Sequence, residues 1–275
     1  MNLRSVPVAL CALCVSVATG LVFADAPFSP RGAEGRREVK AGSLYAPLPS
    51  AQSVLDRYAE VSGQRAHLPH HTSITIRGRY QDPANKIEAS TISYTTKDCV
   101  TLQSYRLSDG RNGANGYDGR IGWTLGLNGK PVIQTGNIAR SMARDADMYY
   151  HLHVLRYFKQ MDVVGVEEFH GHTCYHLKGV NNWNEPNEQF YDKSSGLLIG
   201  YKFNTAWRGG NGDADNIFEE YKPFDGILFA TKETDHDGKD MTLSFIDSVT
   251  FDDVKLSDLD PPAAVKTKLA ETGNH

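Results

Sequence analysis

This chain carries none of the short phrases that mark common catalytic folds. A Gly-x-Ser-x-Gly elbow, a phosphate-binding glycine loop, a His-Glu-x-x-His zinc helix and a dinucleotide fingerprint are all absent from its 275 residues. Positive charge is also short. The 29 Lys and Arg against 33 Asp and Glu leave a net charge of −4, without the basic excess that nucleic-acid binding requires. Cysteine is sparse, with four in the chain, and Cys11 and Cys14 fall inside an apolar N-terminal stretch. Beyond that stretch no apolar run is long enough to span a bilayer, so an integral membrane protein is not expected.

What is present is an ordinary globular composition, 40% hydrophobic and 23% charged, which argues against wholesale disorder. Residues 1–24 read as an export signal: Arg4 supplies the positive end, 6–23 are apolar or small, and Val22-Phe23-Ala24 offers a cleavage site. Asp25 and Arg31 follow too soon for a retained anchor. Residues 25–49 combine Pro27, Pro30, Pro47 and Pro49 with Arg31, Arg36, Arg37 and Lys40 and show no apolar period, the pattern of a flexible linker. Residues 50–270 then read as a single domain, exported and expected in the periplasm. In that oxidising compartment Cys99 and Cys174, both placed within strands, either form a bridge or remain two separate thiols.

Ser50 suits the N-cap of a helix reaching about residue 62, with Val54, Leu55, Tyr58 and Val61 at helical spacing and Gly63 as its stop. The period then changes to two. Strands are expected around 74–76, 87–96, 100–107 and 121–125, then at 162–166, 173–180, 189–192, 197–204, 217–221, 227–234 and 241–251. Asp82-Pro83-Ala84-Asn85, Lys97-Asp98, Asp225-Gly226 and Asp237-Gly238 supply turns. Residues 108–119, with Gly110, Gly113, Gly116 and Gly119, read as a loop, and 181–188 and 208–216 as polar insertions. In mid-chain, Met148, Leu152, Leu155 and Phe158 are spaced four, three and three, one apolar helical stripe. A short helix around 265–269 ends the pattern. The fold class is therefore mainly β with α, and a single sheet of ten or eleven antiparallel strands must curl or close.

The most chemistry-rich cluster is His170, His172, Cys174 and His176. On a strand His172, Cys174 and His176 share a face, which suits zinc or copper, while Gly171 marks a hairpin tip where histidines are simply exposed. No carboxylate or further Cys completes a metal set at a matching spacing. Asp252-Asp253 with Asp258 and Asp260 lacks the glycine and alternating ligands of a calcium loop, and Glu167-Glu168 has no general acid-base spacing. Trp183 and Trp207 belong to polar loops, where an aromatic either meets a partner or packs over a sheet edge.

Several phrases occur in a telling order: Val54-Leu55-Asp56-Arg57-Tyr58 with Gly63, Tyr117-Asp118-Gly119 with Trp123, Gly171-His172-Thr173-Cys174-Tyr175, Phe190-Tyr191-Asp192-Lys193-Ser194-Ser195-Gly196-Leu197-Leu198, and Ile246-Asp247-Ser248-Val249 with Asp260-Pro261-Pro262. Over residues 50–268 they resemble the periplasmic lipoprotein-carrier superfamily (LolA/LolB-like), in particular its outer membrane lipoprotein-sorting protein homologues. The resemblance implies an unclosed antiparallel β-barrel with an N-terminal helix, an apolar concave side and a helical lid. It also implies a non-catalytic carrier or sensor of lipid or lipidated protein that needs no cofactor. Each buried methylene contributes ~0.8 kcal/mol, so acyl chains require no polar recognition. On this reading Ile74, Ile76, Ile121, Trp123 and Leu125 line the concave face, and Met148, Leu152, Leu155 and Phe158 form the lid. The alternative is an interaction module for an envelope protein partner, in which the same residues make a filled core.

Overall fold

The computed structural model describes residues 47–204 and 212–272. The expected signal peptide, all but the last three positions of the linker, and Trp207 lie outside the described residues.

α1 (Ala51–Val61) begins where the Ser50 hydroxyl accepts the Ser53 amide at 3.2 Å. It buries Ala51, Val54, Leu55, Tyr58 and Ala59, whereas Val61, expected on the same stripe, is exposed. Gly63, at φ +74°, turns the chain into the short α2 (Gln64–His67) and a 3₁₀ turn at Leu68–His70.

Six strands then meander outward: β1 (Ser73–Asp82), β2 (Ile87–Thr96), β3 (Thr101–Leu107), β4 (Asn112–Tyr117), β5 (Gly122–Leu125) and β6 (Pro131–Ile133). After α3 (Gly136–Asp145) and 3₁₀ turns at Tyr150–Leu152 and Val154–Tyr157, seven more strands run back. These are β7 (Phe158–Phe169), β8 (His172–Asn181), β9 (Pro186–Asp192), β10 (Leu198–Asn204), β11 (Asp213–Phe224), β12 (Ile227–Asp237) and β13 (Asp240–Phe251). A 3₁₀ turn at Leu256–Leu259 and α4 (Ala263–Thr272) follow. The strands form one antiparallel sheet in the order β6-β5-β4-β3-β2-β1-β13-β12-β11-β10-β9-β8-β7, with β6 and β7 as its unjoined ends. The fold class is the expected one, a single unclosed sheet with few helices. The strand order also accounts for the mid-chain helical segment. A connection between opposite ends of a broad sheet has to cross one of its faces, and residues 136–157 make that crossing.

Four local expectations are corrected. First, residues 108–119 are not a loop, because β4 lies within them. Its glycines are there for space: a Cβ on Gly113 would sit 2.1 Å from the Tyr105 ring, and one on Gly116 2.6 Å from the Trp123 ring. Second, β9 and β11 begin inside the stretches expected as polar insertions, and with β6 the sheet reaches 13 strands. Third, Met148, Leu152, Leu155 and Phe158 do not lie on one helix. The Asp147 carboxylate accepts the Tyr149 amide at 3.0 Å, a local bond that competes with helix formation, and Phe158 opens β7. Fourth, Cys99 lies in the β2–β3 turn at φ +58° rather than within a strand, and both it and Cys174 are free thiols.

Candidate functional site

Residues paired directly across an antiparallel ladder project to the same face. Pairing runs without a register shift from β1 to β5 and sorts the residues expected along the concave side into two groups. Ile76, Ser93, Gln103, Asn115 and Thr124 form one row, while Thr75, Tyr94, Leu102, Gly116 and Trp123 form the next, on the opposite face. Ile74 and Ile76 therefore share a face with each other but not with Trp123 and Leu125, and the single-face grouping is corrected. Alternation alone cannot reveal this, because period two fixes parity within a strand and not between strands. Ile121 precedes β5 and is half-buried.

The face bearing Ile74 and Ile76 is the inner one, covered by non-sheet segments. There Ile74 and Ile76, each 2% exposed, pack with Leu68 and Met148 and with Ile227 and Phe229 of β12. A larger cluster beside it joins Ala51, Val54, Leu55 and Tyr58 of α1 to Leu177, Tyr191, Tyr201 and Phe218 of the sheet. Tyr150, Val154 and Phe158 complete this cluster, with Leu155 against its rim. Leu152 is half-buried. The tyrosines that fill this space were not legible as site residues, although Tyr191 stands in the most specific family-like phrase. Burial pushes the Tyr58 and Tyr150 phenols up to about 12, and Tyr191, Tyr201 and Tyr221 well above their ordinary value. Buried hydroxyls here find partners: Tyr191 donates to Gln189 Oε1 at 2.8 Å and Tyr221 to the Leu198 carbonyl at 2.7 Å.

The cover also holds charge. Arg144, at the end of α3, pairs with Asp145 at 2.8 Å, and both side chains are buried. The guanidinium lies over the ring of Trp183, 5.5 Å away, and over that of Tyr150, 6.0 Å away. Burial raises the Asp145 carboxyl to about 6 despite the adjacent Arg144. Asp147 Oδ2 accepts from Tyr157 at 2.6 Å and contacts His153 Nε2 at 2.5 Å, which ties the stretch before the first 3₁₀ turn to the end of the second. Further along the inner face the lining becomes polar: Thr91, Ser93, Gln103, Asn216, Glu233, Thr242 and Ser244 are all buried. The inner surface is therefore not a uniformly apolar trough.

On the outer face, Trp123 is 1% exposed and packs with Leu102, Ala114 and Val265 of α4, with Leu125 against the cluster. His172, Cys174 and His176 do share a side of β8, as expected, but carboxylates already occupy them. His176 sits between Glu167, on Nδ1, and Glu188, 2.7 Å from Nε2, while His172 lies 3.6 Å from Asp192. Burial pushes the Cys174 thiol up to about 12. Among the described residues no group of three His, Cys, Asp or Glu side chains is arranged to hold a metal ion. Trp183 is buried, its indole nitrogen donating to Glu185 at 2.6 Å. Asp252 accepts from the Thr72 amide and hydroxyl and contacts His71 Nδ1 at 2.8 Å, a structural clasp.

No protein-family model matches the chain, and no curated protein matches it by sequence. Its fold does match solved structures. A LolA superfamily protein from Nitrosomonas europaea superposes with a TM-score of 0.51 at 13% identity, over 78% of this chain and 99% of that one. A DUF1329 family protein from Desulfovibrio piger gives 0.52 at 12% identity, over 76% and 96%. A putative outer membrane lipoprotein-sorting protein domain from Vibrio parahaemolyticus gives 0.50 at 12% identity, over 76% and 97%. The chain has the LolA-like fold, as its sequence phrases implied. No helix among the described residues is long and apolar enough to cross a membrane.

Proposed function

We propose that residues 50–270 form a single non-catalytic binding module of the periplasm that acts through contact with an envelope protein. One observation carries this reading: the inner face, where a carrier of this fold would hold an acyl chain, is filled by the protein's own side chains. Ile74, Ile76, Met148, Leu177 and Tyr191 are each no more than 2% exposed, and each already packs against neighbours. The polar lining beyond them gives an acyl chain no continuous apolar path. The test is mass spectrometry of lipids extracted from the purified protein, together with titration of a fluorescent acyl probe. Absence of bound lipid and of saturable uptake is expected, and stoichiometric uptake sinks the reading.

A second reading, carriage of a lipid or lipidated protein, is favoured by the make-up of the cover. Leu68, Met148, Tyr150 and Val154 all come from segments outside the sheet and could be displaced without breaking a strand pair. On that reading Leu152→Asp blocks uptake of the probe. Uptake abolished by this change, with the thermal midpoint unaltered, would favour a carrier with a movable lid.

A further inference from the structure

The end of the β7–β8 hairpin does something that its position at the edge of the sheet does not require. A register shift between Val163 and Gly165 interrupts β7, and beyond it Phe169 and His170 reach over the outer face of β9, β10, β11 and β12. Phe169 stacks on Phe190 of β9, with centroids 4.0 Å apart and planes 7° from parallel. The same ring lies over Gly200 of β10, where a Cβ would stand 3.0 Å from Phe169 Cε1. Lys202 Nζ sits 5.5 Å from the Phe169 centroid and 4.9 Å from that of Phe190. At the tip, His170 and Gly171 both take positive φ, as a two-residue hairpin turn requires. His170 Nε2 there comes within 3.3 Å of Asp215 Oδ2 on β11. The other oxygen of Asp215 contacts His236 Nδ1 of β12 at 2.9 Å, and the two imidazoles lie parallel, 6.0 Å apart.

We propose that residues 165–174 form a flap that opens away from the outer face while the rest of the sheet stays folded, with Asp215 as its latch and Gly165 as its hinge. Four features support this. The flap is bonded to the sheet along β8 alone, since β7 is an end strand. The apolar cluster that joins the flap to the sheet is small: Phe169 and Cys174 of the flap meet Phe190 and Ile199, with Ile217 alongside. The latch is a half-exposed set of histidine–carboxylate contacts, a weak type of interaction that water can replace. A Cβ at Gly165 would meet no atom within 4 Å, so the hinge has space around it. Elements with few buried contacts open locally at a lower free energy than the whole domain.

Opening has a direct reporter, because Cys174, at the end of the flap, is 0% exposed where the flap lies against the sheet. The experiment is labelling of the full chain with N-ethylmaleimide, followed at Cys174 by peptide mass spectrometry, alongside hydrogen exchange of the wild-type protein. Asp215→Ala and, independently, Phe169→Ala are expected to speed Cys174 labelling about tenfold or more without a matching loss of thermal midpoint. In the wild type, amides of 166–174 are expected to exchange faster than those of 175–181 on the same strand pair. If Cys174 labels only at the rate of global unfolding in every variant, or if the two sets of amides exchange together, the flap does not exist. Should neither variant fold, the wild-type exchange pattern decides alone.

Discussion

Gly63 and Gly226 meet backbone to backbone: a Cβ on Gly63 would stand 2.0 Å from the Gly226 carbonyl oxygen. Both residues have positive φ, +74° and +79°, and the neighbouring Leu228 amide donates to the Ser62 carbonyl at 2.8 Å. This contact pins the end of α1 to the β11–β12 turn. Gly63→Ala combines a left-handed backbone with a steric clash, so a loss of about 2–4 kcal/mol is expected in urea denaturation. A loss below about 0.5 kcal/mol, the range of neutral surface changes, would mean the contact is not made.

Ile76 and Val265 stand in separate clusters on opposite faces of the sheet. Ile76→Val is expected to cost about 0.5–1.5 kcal/mol, and its combination with Val265→Ala should be additive within about 0.5 kcal/mol. Val265→Ala and Trp123→Phe share one cluster and should couple. A double-mutant cycle showing coupling between Ile76 and Val265 would put them on the same face.

Two carboxylates contribute to stability against acid. Asp252 is lowered to about 2 by its hydrogen bond from His71 and those from Thr72, against a smaller effect of burial. At Asp192 burial acts upward, but hydrogen bonds from Ser194 and Ser195 outweigh it, and the carboxyl also reaches about 2. Both folded values lie below the unfolded value of about 3.9, so their contribution is present above pH ~4 and disappears as pH falls toward 2. Thermal midpoints across this range should fall less steeply in Asp252→Asn than in the wild type. An unchanged slope would contradict the assignment.

Asp145 works in the opposite direction. Its folded value, about 6, lies above the unfolded one, so the stability it contributes is greatest below pH ~4 and declines as pH rises toward 6. At neutral pH the charged pair with Arg144 remains buried. Arg144→Met alone, which strands the carboxylate, is expected to cost about 3–5 kcal/mol, and Arg144→Met with Asp145→Leu should recover most of it. Equal losses in the single and double variants would show that the pair does not act as a unit.

Much of this protein is written locally. Ser50 and Gly63 bound α1 in the sequence as they do in the fold, and Asp225-Gly226 and Asp237-Gly238 are the turns that alternation requires. Where local reading failed, a contact that periodicity does not register was responsible. Gly113 and Gly116 look like loop residues until the rings of Tyr105 and Trp123 are laid against them. Met148 and Phe158 look like one stripe until Asp147 breaks the helix and sends them to separate clusters. The hairpin tip at His170 and Gly171 was legible, but its reach to Asp215 and His236 was not.

The sequence by itself determined most of the strands, several of their turns and the kind of sheet they build, because caps, glycines and period two act over a few residues. Only the tertiary structure decided which parity faces inward. Both faces of this sheet are covered, one by α1 and residues 136–157 and the other by α4, so both parities carry apolar side chains. Burial depends on which segments cross which face. That follows from the pairing of β1 with β13 and the crossing between the sheet's two ends, contacts too distant in sequence for local patterning to encode.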